Sequence, residues 1–348
     1  MRALTFQSVK TVEVQEVDEP ARVDPRDAIV SVELTAICGS DLHPYLGREV
    51  GLDVGTVLGH EFLGKVLEVG EDVGSVAPGD TVVAPFTTSC GQCFHCEQGL
   101  TARCIHGELF GWVEQGRGLH GAQAQRVRVP LADSTLLRVP EGARPEEALL
   151  AGDVLSTGFF CAQMGGVGPG SSVAVIGAGP VGLSATIAAR ELGAAEIFTL
   201  DLQPERLALA ERYGARALNA STQDHRTQIL DRTAGRGVDA VLECVGTPGA
   251  TRSAYDLVRA GGTIAAAGVH TEEHLAFGPG EAYDKNLTYR AGRCPARAMM
   301  EKTLPLAASG RHDLGALFSH RLSLEEAVRG YELFEKRLDG CTKVLLTP

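Results

Sequence analysis

The stretch SSVAVIGAGPVGLSATIAARELG, residues 171–193, decides the fold. SSVAVI is a short apolar run rich in β-branched residues and reads as a strand, while PVGLSATIAARELG reads as a helix. Between them lies Gly177-Ala178-Gly179-Pro180-Val181-Gly182, a G-x-G-x-x-G in strand–turn–helix context. There Gly177 permits the tight turn, Gly179 lets the backbone approach a pyrophosphate, and Gly182 lets helix and strand pack closely. The helix N-terminus offers free N–H groups and partial positive charge to phosphates. Asp201 stands 19 residues after Gly182, ending the strand EIFTLD. A carboxylate there accepts hydrogen bonds from ribose hydroxyls and repels a 2′-phosphate, so NAD is favoured over NADP. Arg206 is either an adenosine contact or a surface charge of the next helix.

Outward from this unit, VDAVLECVG, TRSAYDLVRA and GGTIAAAGV continue the alternation of strands with helices that builds a parallel sheet. Upstream the pattern differs. Residues 1–35 alternate as strands (ALTF, TVEV, AIVSVEL), and FLGKVLEV and DTVVAPF continue in the same way, so an antiparallel start is expected. From residue 145, PEEALLAGDVLSTGFFCAQMG reads as helix, and the tail is helical until the final strand CTKVLLTP. The expected fold is α/β, with a β-rich domain (1–152 and 291–348) interrupted by a doubly wound one (153–290).

The chain has 348 residues, enough for about two domains at roughly 150 each. Its 42 glycines and 5% aromatic content suit many tight βα turns. A formal charge of −12 argues against nucleic acid or an anionic membrane as partner. The N-terminal segment lacks an apolar run and a small-residue cleavage site, and no membrane-length apolar run occurs, so a cytoplasmic protein is expected.

An odd count of 9 cysteines without export signals disfavours a disulfide framework and favours metal ligation or reactive thiols. Cys90, Cys93, Cys96 and Cys104 give four soft ligands within a short lobe (88–106). Such a set suits a closed tetrahedral zinc site with no position left for chemistry, although an iron–sulfur cluster uses similar spacing. A second, dispersed set comprises Cys38 in ICGSDLH, His60-Glu61 in VLGHEF and Asp153 in AGDVLSTG. One Cys, one His and one carboxylate leave zinc an exchangeable fourth position and neutralise its charge, the pattern of a catalytic site.

The motifs GHEFLGKVLEVG, CGSDLH, CGQCFHCEQGLTARC and VIGAGPVG together resemble the zinc-dependent alcohol dehydrogenases of the medium-chain dehydrogenase/reductase family, over essentially the whole chain. The resemblance implies a GroES-like β domain enclosing the substrate site, a Rossmann domain, and zinc in the cleft between. It implies that Cys38, His60 and Asp153 ligate the catalytic zinc, with Glu61 behind the metal and able to swing in. Cys is common at the third position in the family and Glu in polyol and threonine dehydrogenases, whereas Asp resembles bacterial secondary-alcohol dehydrogenases. Ser40 matches the hydroxyl that bonds the substrate oxygen, and His43 the end of a proton relay through the nicotinamide ribose. Thr157 flanks the nicotinamide. Cys244 and Val245 fall beside the adenosine half of the cofactor, and Gly268, Val269 and His270 beside the nicotinamide half. Arg293 reaches the carboxamide region, and Lys343 the pyrophosphate or Glu61, unless either is a surface charge. Phe86 and Trp112 line the substrate pocket or are ordinary core aromatics.

The reaction so implied is reversible oxidation of an alcohol to an aldehyde or ketone with NAD(H), using two zincs per chain. Polyol, sugar or amino-alcohol oxidation is the alternative within the family, and a non-catalytic NAD-binding zinc protein the alternative outside it. Bacterial relatives suggest a homotetramer.

Overall fold

The computed structural model describes residues 1–271 and 273–348. It divides into two units, Met1–Asp153 with Pro295–Pro348, and Val154–Cys294. The boundaries differ from 152/153 and 290/291. The strand Thr288–Ala291 still belongs to the parallel sheet, and Asp153 goes with the first unit.

The first unit opens with β1 (Arg2–Ser8) and β2 (Thr11–Glu16), an antiparallel pair, followed by β3 (Ala28–Ile37). Next come β4 (Glu61–Val69), β5 (Thr81–Val83), the ribbon β6 (Trp112–Glu114) and β7 (Arg117–Leu119), β8 (Arg126–Val129) and β9 (Leu137–Arg138). Long β3 is buried along most of its length, and its Ala28, Val30 and Val32 pack in one core with Phe62, Val66, Phe110 and Val127. The run from residue 145 is not one helix. Helix Pro145–Leu149 passes into a 3-10 turn, Leu150–Gly152, and Asp153 leaves helical geometry at φ −144°, ψ −85° before helix Val154–Met164 begins.

The second unit holds β10 (Ser172–Ile176), β11 (Glu196–Asp201), β12 (Arg216–Asn219), β13 (Val238–Glu243), β14 (Val258–Ala266) and β15 (Thr288–Ala291). All pairings are parallel, in the order β12-β11-β10-β13-β14-β15. Strand order therefore reverses between β10 and β13, where Ile176 pairs with Glu243. In open α/β sheets that crevice, at the carboxyl ends of the strands, is where ligands bind.

The chain then returns to the first unit through helix Ala296–Ala308, β16 (His320–Ser323), helix Ala327–Lys336 and β17 (Val344–Thr347). β17 pairs antiparallel with β3, completing the order β16-β17-β3-β4-β5-β9 with β8 also on β3. Helix Ala327–Lys336 packs Tyr331 and Phe334 into a second core with Leu4, Ile37 and Val344. This return matters for the site: β17 and β4 both flank the end of β3, with Val344 opposite Ile37 and Glu61 opposite Ala36.

Candidate active site

Cys38 follows the last residue of β3, Glu61 opens β4 with His60 just before it, and Asp153 occupies the helix break. Donor atoms of Cys38, His60, Glu61 and Asp153 all lie within 4.8 Å of one another, and all four residues are buried. Cys38 Sγ is 3.2 Å from Asp153 Oδ2, and His60 Nε2 is 3.5 Å from the same oxygen. Ligand bonds of about 2.0–2.3 Å in a tetrahedron set neighbouring donors roughly 3.3–3.8 Å apart. The cluster therefore fits a zinc ion. Its electrostatics fit too: Glu61 Oε2 is buried without a hydrogen-bond partner, a gap that a cation would fill.

Titration behaviour reports the same crowding of negative charge. Burial first, then Asp153 and Glu61, push the Cys38 thiol up to about 11. Burial pulls the His60 value down, but Asp41 and Cys38 outweigh it and hold the imidazole well above its ordinary range. Lys343 is fully buried and donates to Glu61 Oε1 at 2.6 Å. Burial opposes its charge, yet Glu61 keeps its pKa raised. Lys343 is thus no surface charge: it immediately precedes β17 and reaches Glu61 at the start of β4.

Asp41 is the residue that motif reading passed over. Its Oδ1 lies 3.1 Å from His60 Nδ1, while its Oδ2 accepts from the Cys38 backbone N–H at 2.9 Å. A carboxylate on Nδ1–H fixes the tautomer and leaves the Nε2 lone pair facing the cluster. Its signal lies within CGSDLH itself, between Ser40 and His43.

Ser40 Oγ stands 3.2 Å from His60 Nε2. His43 lies on the short helix Leu42–Tyr45, with its Nδ1 buried and unpartnered. Ser40 and His43 side chains share no direct hydrogen bond among the described residues. Phe86 is buried and packs edge-on to His60, ring centroids 6.4 Å apart. Trp112, by contrast, stands on the β6–β7 ribbon, its indole N–H 3.4 Å from Glu114.

Sulfur atoms of Cys90, Cys93, Cys96 and Cys104 also lie within 4.8 Å of one another. Cys93 Sγ is 3.9 Å from Cys104 Sγ, close to the edge of a zinc–thiolate tetrahedron and far from a disulfide bond. Backbone N–H groups of Cys96 and Ile105 pull Cys93 down to about 6. Burial first, then Cys93, pushes Cys96 up to about 12.

In the second unit, Gly177 has φ +91°, and a Cβ on Gly182 would sit 1.7 Å from the Gly177 carbonyl oxygen. Pro180 and Val181 begin helix Pro180–Glu191. Gly179 faces open space apart from the Arg206 guanidinium, 3.8 Å from a built Cβ. Asp201 Oδ2 accepts from Ala178 N–H at 2.6 Å, and Oδ1 from Leu202 and Gln203 N–H at 2.7 and 2.9 Å. A carboxylate offers about four acceptor positions, so one is left for a ribose hydroxyl. Thr157 is half-buried on helix Val154–Met164, and Arg293 is exposed beyond β15. Cys244, Val245, Gly268, Val269 and His270 lie at the carboxyl ends of β13 and β14. Sequence reading missed Glu243, which joins those ends. Fully buried, its Oε1 accepts from Val245 and Gly246 N–H, and its Oε2 is 3.1 Å from His270 Nε2.

The zinc-binding dehydrogenase family model matches residues 180–309, and the alcohol dehydrogenase GroES-like domain model residues 24–141. Zinc-type alcohol dehydrogenase B of Aspergillus flavus is 42% identical over 343 residues, 96% of this chain and 78% of that protein. Among solved structures, alcohol dehydrogenase TADH from Thermus sp. ATN1 is 42% identical with a TM-score of 0.94, covering 100% of this chain and 99% of that one. A zinc-binding dehydrogenase from Sinorhizobium meliloti 1021, solved bound to NADP, is 28% identical with a TM-score of 0.87, covering 100% and 99%.

Proposed function

The chain belongs to the zinc-dependent alcohol dehydrogenases of the medium-chain dehydrogenase/reductase family, and we propose that it oxidises primary or secondary alcohols reversibly to aldehydes or ketones with NAD. It is an oxidoreductase with a GroES-like unit and a Rossmann-type unit. The observation that carries the proposal is the buried convergence of a thiol, an imidazole and carboxylates, one oxygen of Glu61 being unpaired.

Cys38, His60 and Asp153 would hold the catalytic zinc, with Glu61 behind it, and the four clustered cysteines a second, structural zinc. When bound, zinc acidifies the hydroxyl of an alcohol and NAD takes up the hydride. The residues do the rest. Asp41 keeps Nδ1 of His60 protonated, so that Nε2 is available as a ligand. Ser40 takes the substrate hydroxyl proton and passes on its own, because a hydroxyl both accepts and donates. His43, with its buried Nδ1 unpartnered, would be the group that finally accepts the proton and delivers it towards solvent. Burial first, with Arg48 assisting against Glu49, holds its pKa below the ordinary value, so the imidazole is neutral and can accept near pH 7. Phe86, edge-on to His60, keeps water from the reacting carbon. Thr157, Val269 and His270 would border the nicotinamide, Cys244, Val245 and Arg206 the adenosine half, and Gly177–Gly182 the pyrophosphate.

The remaining acceptor position on Asp201 supports NAD over NADP. No helix among the described residues is long and apolar enough to cross a membrane. A cytoplasmic homotetramer is the assembly expected for such an enzyme. The test is NADH formation, followed by absorbance, with primary, secondary, aromatic and polyhydroxy alcohols and with NAD or NADP. Turnover of simple alcohols with NAD supports the proposal. Turnover confined to polyols, or equal use of NADP, overturns the substrate or the cofactor part respectively.

A further inference from the structure

Behind Asp41 the structure carries a buried polar chain that the proposed chemistry does not use. Gln123, on the loop between β7 and β8, is fully buried and lies 82 residues from Asp41. Its Nε2 donates to Asp41 Oδ2 and to the Ala36 carbonyl, both at 3.2 Å. Its Oε1 accepts from the hydroxyl of Tyr331 at 3.0 Å. Tyr331 is fully buried too, on helix Ala327–Lys336, with its ring 5.3 Å from that of Tyr45.

The amide orientation follows from the partners. Turned over, Gln123 would aim its carbonyl oxygen at the Asp41 carboxylate and the Ala36 carbonyl, two acceptors facing an acceptor. With Nε2 on that side, Oε1 must face Tyr331, and the tyrosine must donate. Every hydrogen-bonding position of the Gln123 side chain except one lone pair is then used. The direction of donation is uniform: Tyr331 to Gln123, Gln123 to Asp41, and His60 Nδ1–H to Asp41 from the other side.

A carboxylate this buried could rotate about its side-chain torsions and pair with other donors. Gln123 and the Cys38 N–H hold Oδ2, which leaves Oδ1 aimed at His60. Segment 121–123 is also tied to the irregular segment that leads into the site, since Gln123 N–H donates to the Leu58 carbonyl at 2.8 Å and Ala122 N–H to that of Gly59 at 2.9 Å. Gln123 is therefore anchored by backbone to the residues just before His60 and by side chain to the carboxylate that orients it.

We propose that Gln123 and Tyr331 are positioning residues for the metal centre, fixing Asp41 so that His60 presents Nε2 in a single orientation. This rests on the reading of Cys38, His60 and Asp153 as zinc ligands. Outer partners of ligating histidines are worth about 10–100-fold in metal affinity, and Gln123, one bond further out, should lie at the lower end.

The test is the kinetics of zinc transfer from the zinc-loaded protein to excess chelator with a chromogenic indicator. Parent, Gln123→Met and Tyr331→Phe are compared, and Cys38→Ser identifies the phase that belongs to the Cys38 site. The parent should release two equivalents in two phases. Gln123→Met should hasten the Cys38-site phase about tenfold and Tyr331→Phe by a smaller factor, while the four-cysteine phase and NADH affinity stay unchanged. Tyr331→Phe keeps the buried ring and carries the test alone if Gln123→Met fails to fold. Unchanged release from the Cys38 site in the folded variants overturns the inference, as does equal acceleration of both phases, which would mean general loosening. A parent whose zinc content Cys38→Ser leaves unchanged overturns the ligand reading itself, and the inference with it.

Discussion

Ser40 decides between two roles for a small hydroxyl beside a metal site. If it merely satisfied a loop, Ser40→Ala would cost about 1 kcal/mol of stability and little rate. As first acceptor in a proton exit its loss should lower alcohol oxidation by roughly 10²-fold with NADH affinity unchanged, measured by steady-state turnover and fluorescence titration. Asp201 offers a second residue-scale prediction. Asp201→Gly with Leu202→Arg should raise relative use of NADP by removing repulsion and adding a phosphate partner. Because Asp201 also receives three backbone N–H groups, the double variant should lose stability as well, visible as a lower denaturant midpoint. His43 and His120 give a pH dependence. Burial, first among the causes, depresses both pKa values, with Arg48 assisting at His43 and Arg128 at His120. A depressed folded value means the unfolded chain binds more protons, so this contribution is present above about pH 6.5 and is lost as pH falls towards the folded values. The denaturant midpoint should drop on acidification through that window, and by less in His43→Gln than in the parent. At this scale the sequence exposed ligand types well, because Cys, His and carboxylate at these spacings have few other uses together. It did not expose Asp41, Gln123 or Glu243, whose roles depend on partners 19, 82 and 27 residues away in the chain.

Elements explain why some parts were legible and others not. The strands β10, β11, β13 and β14 announce themselves as apolar runs followed by helices, since they are covered on both faces. Edge strands β12, four residues RALN, and β15, four residues TYRA, carry no such run. They exist because their neighbours supply the ladder, with register pairs Leu200–Leu218 and Ile264–Tyr289. The helical pattern from 145 to 165 reads as continuous because periodicity does not report a single residue leaving helical geometry. That residue, Asp153, is the one whose carboxylate joins the cluster, so the break serves the site. The cysteine lobe has little regular structure to hold it: a four-residue helix, Phe94–Glu97, and a 3-10 turn, Thr101–Arg103. Its order should therefore depend on metal, and structural zinc contributes on the order of 10 kcal/mol in isolated peptides. Cys93→Ser should lose one zinc equivalent by metal analysis and unfold at a lower temperature. A variant with parental zinc content and midpoint would contradict a structural role.

On the scale of the whole molecule, the sequence told a parallel α/β unit from an antiparallel one by the switch from strand–helix alternation to strand-only alternation. The return of the tail to the first unit was expected from the sequence, but not the strand it joins, because pairing of β17 with β3 links residues about 300 apart. That return brings Lys343 to Glu61 and Tyr331 to Gln123, so the last thirty residues shape the chemistry set out by the first sixty. The account as a whole holds that one buried cluster carries alcohol oxidation while a separate unit carries the dinucleotide. Its most direct test is Cys38→Ser, assayed for NADH formation from the best alcohol substrate and for NADH binding in parallel. The account predicts that turnover falls to background while NADH binds as in the parent. Cys38→Ser turning over alcohol at a rate close to the parent's would contradict it.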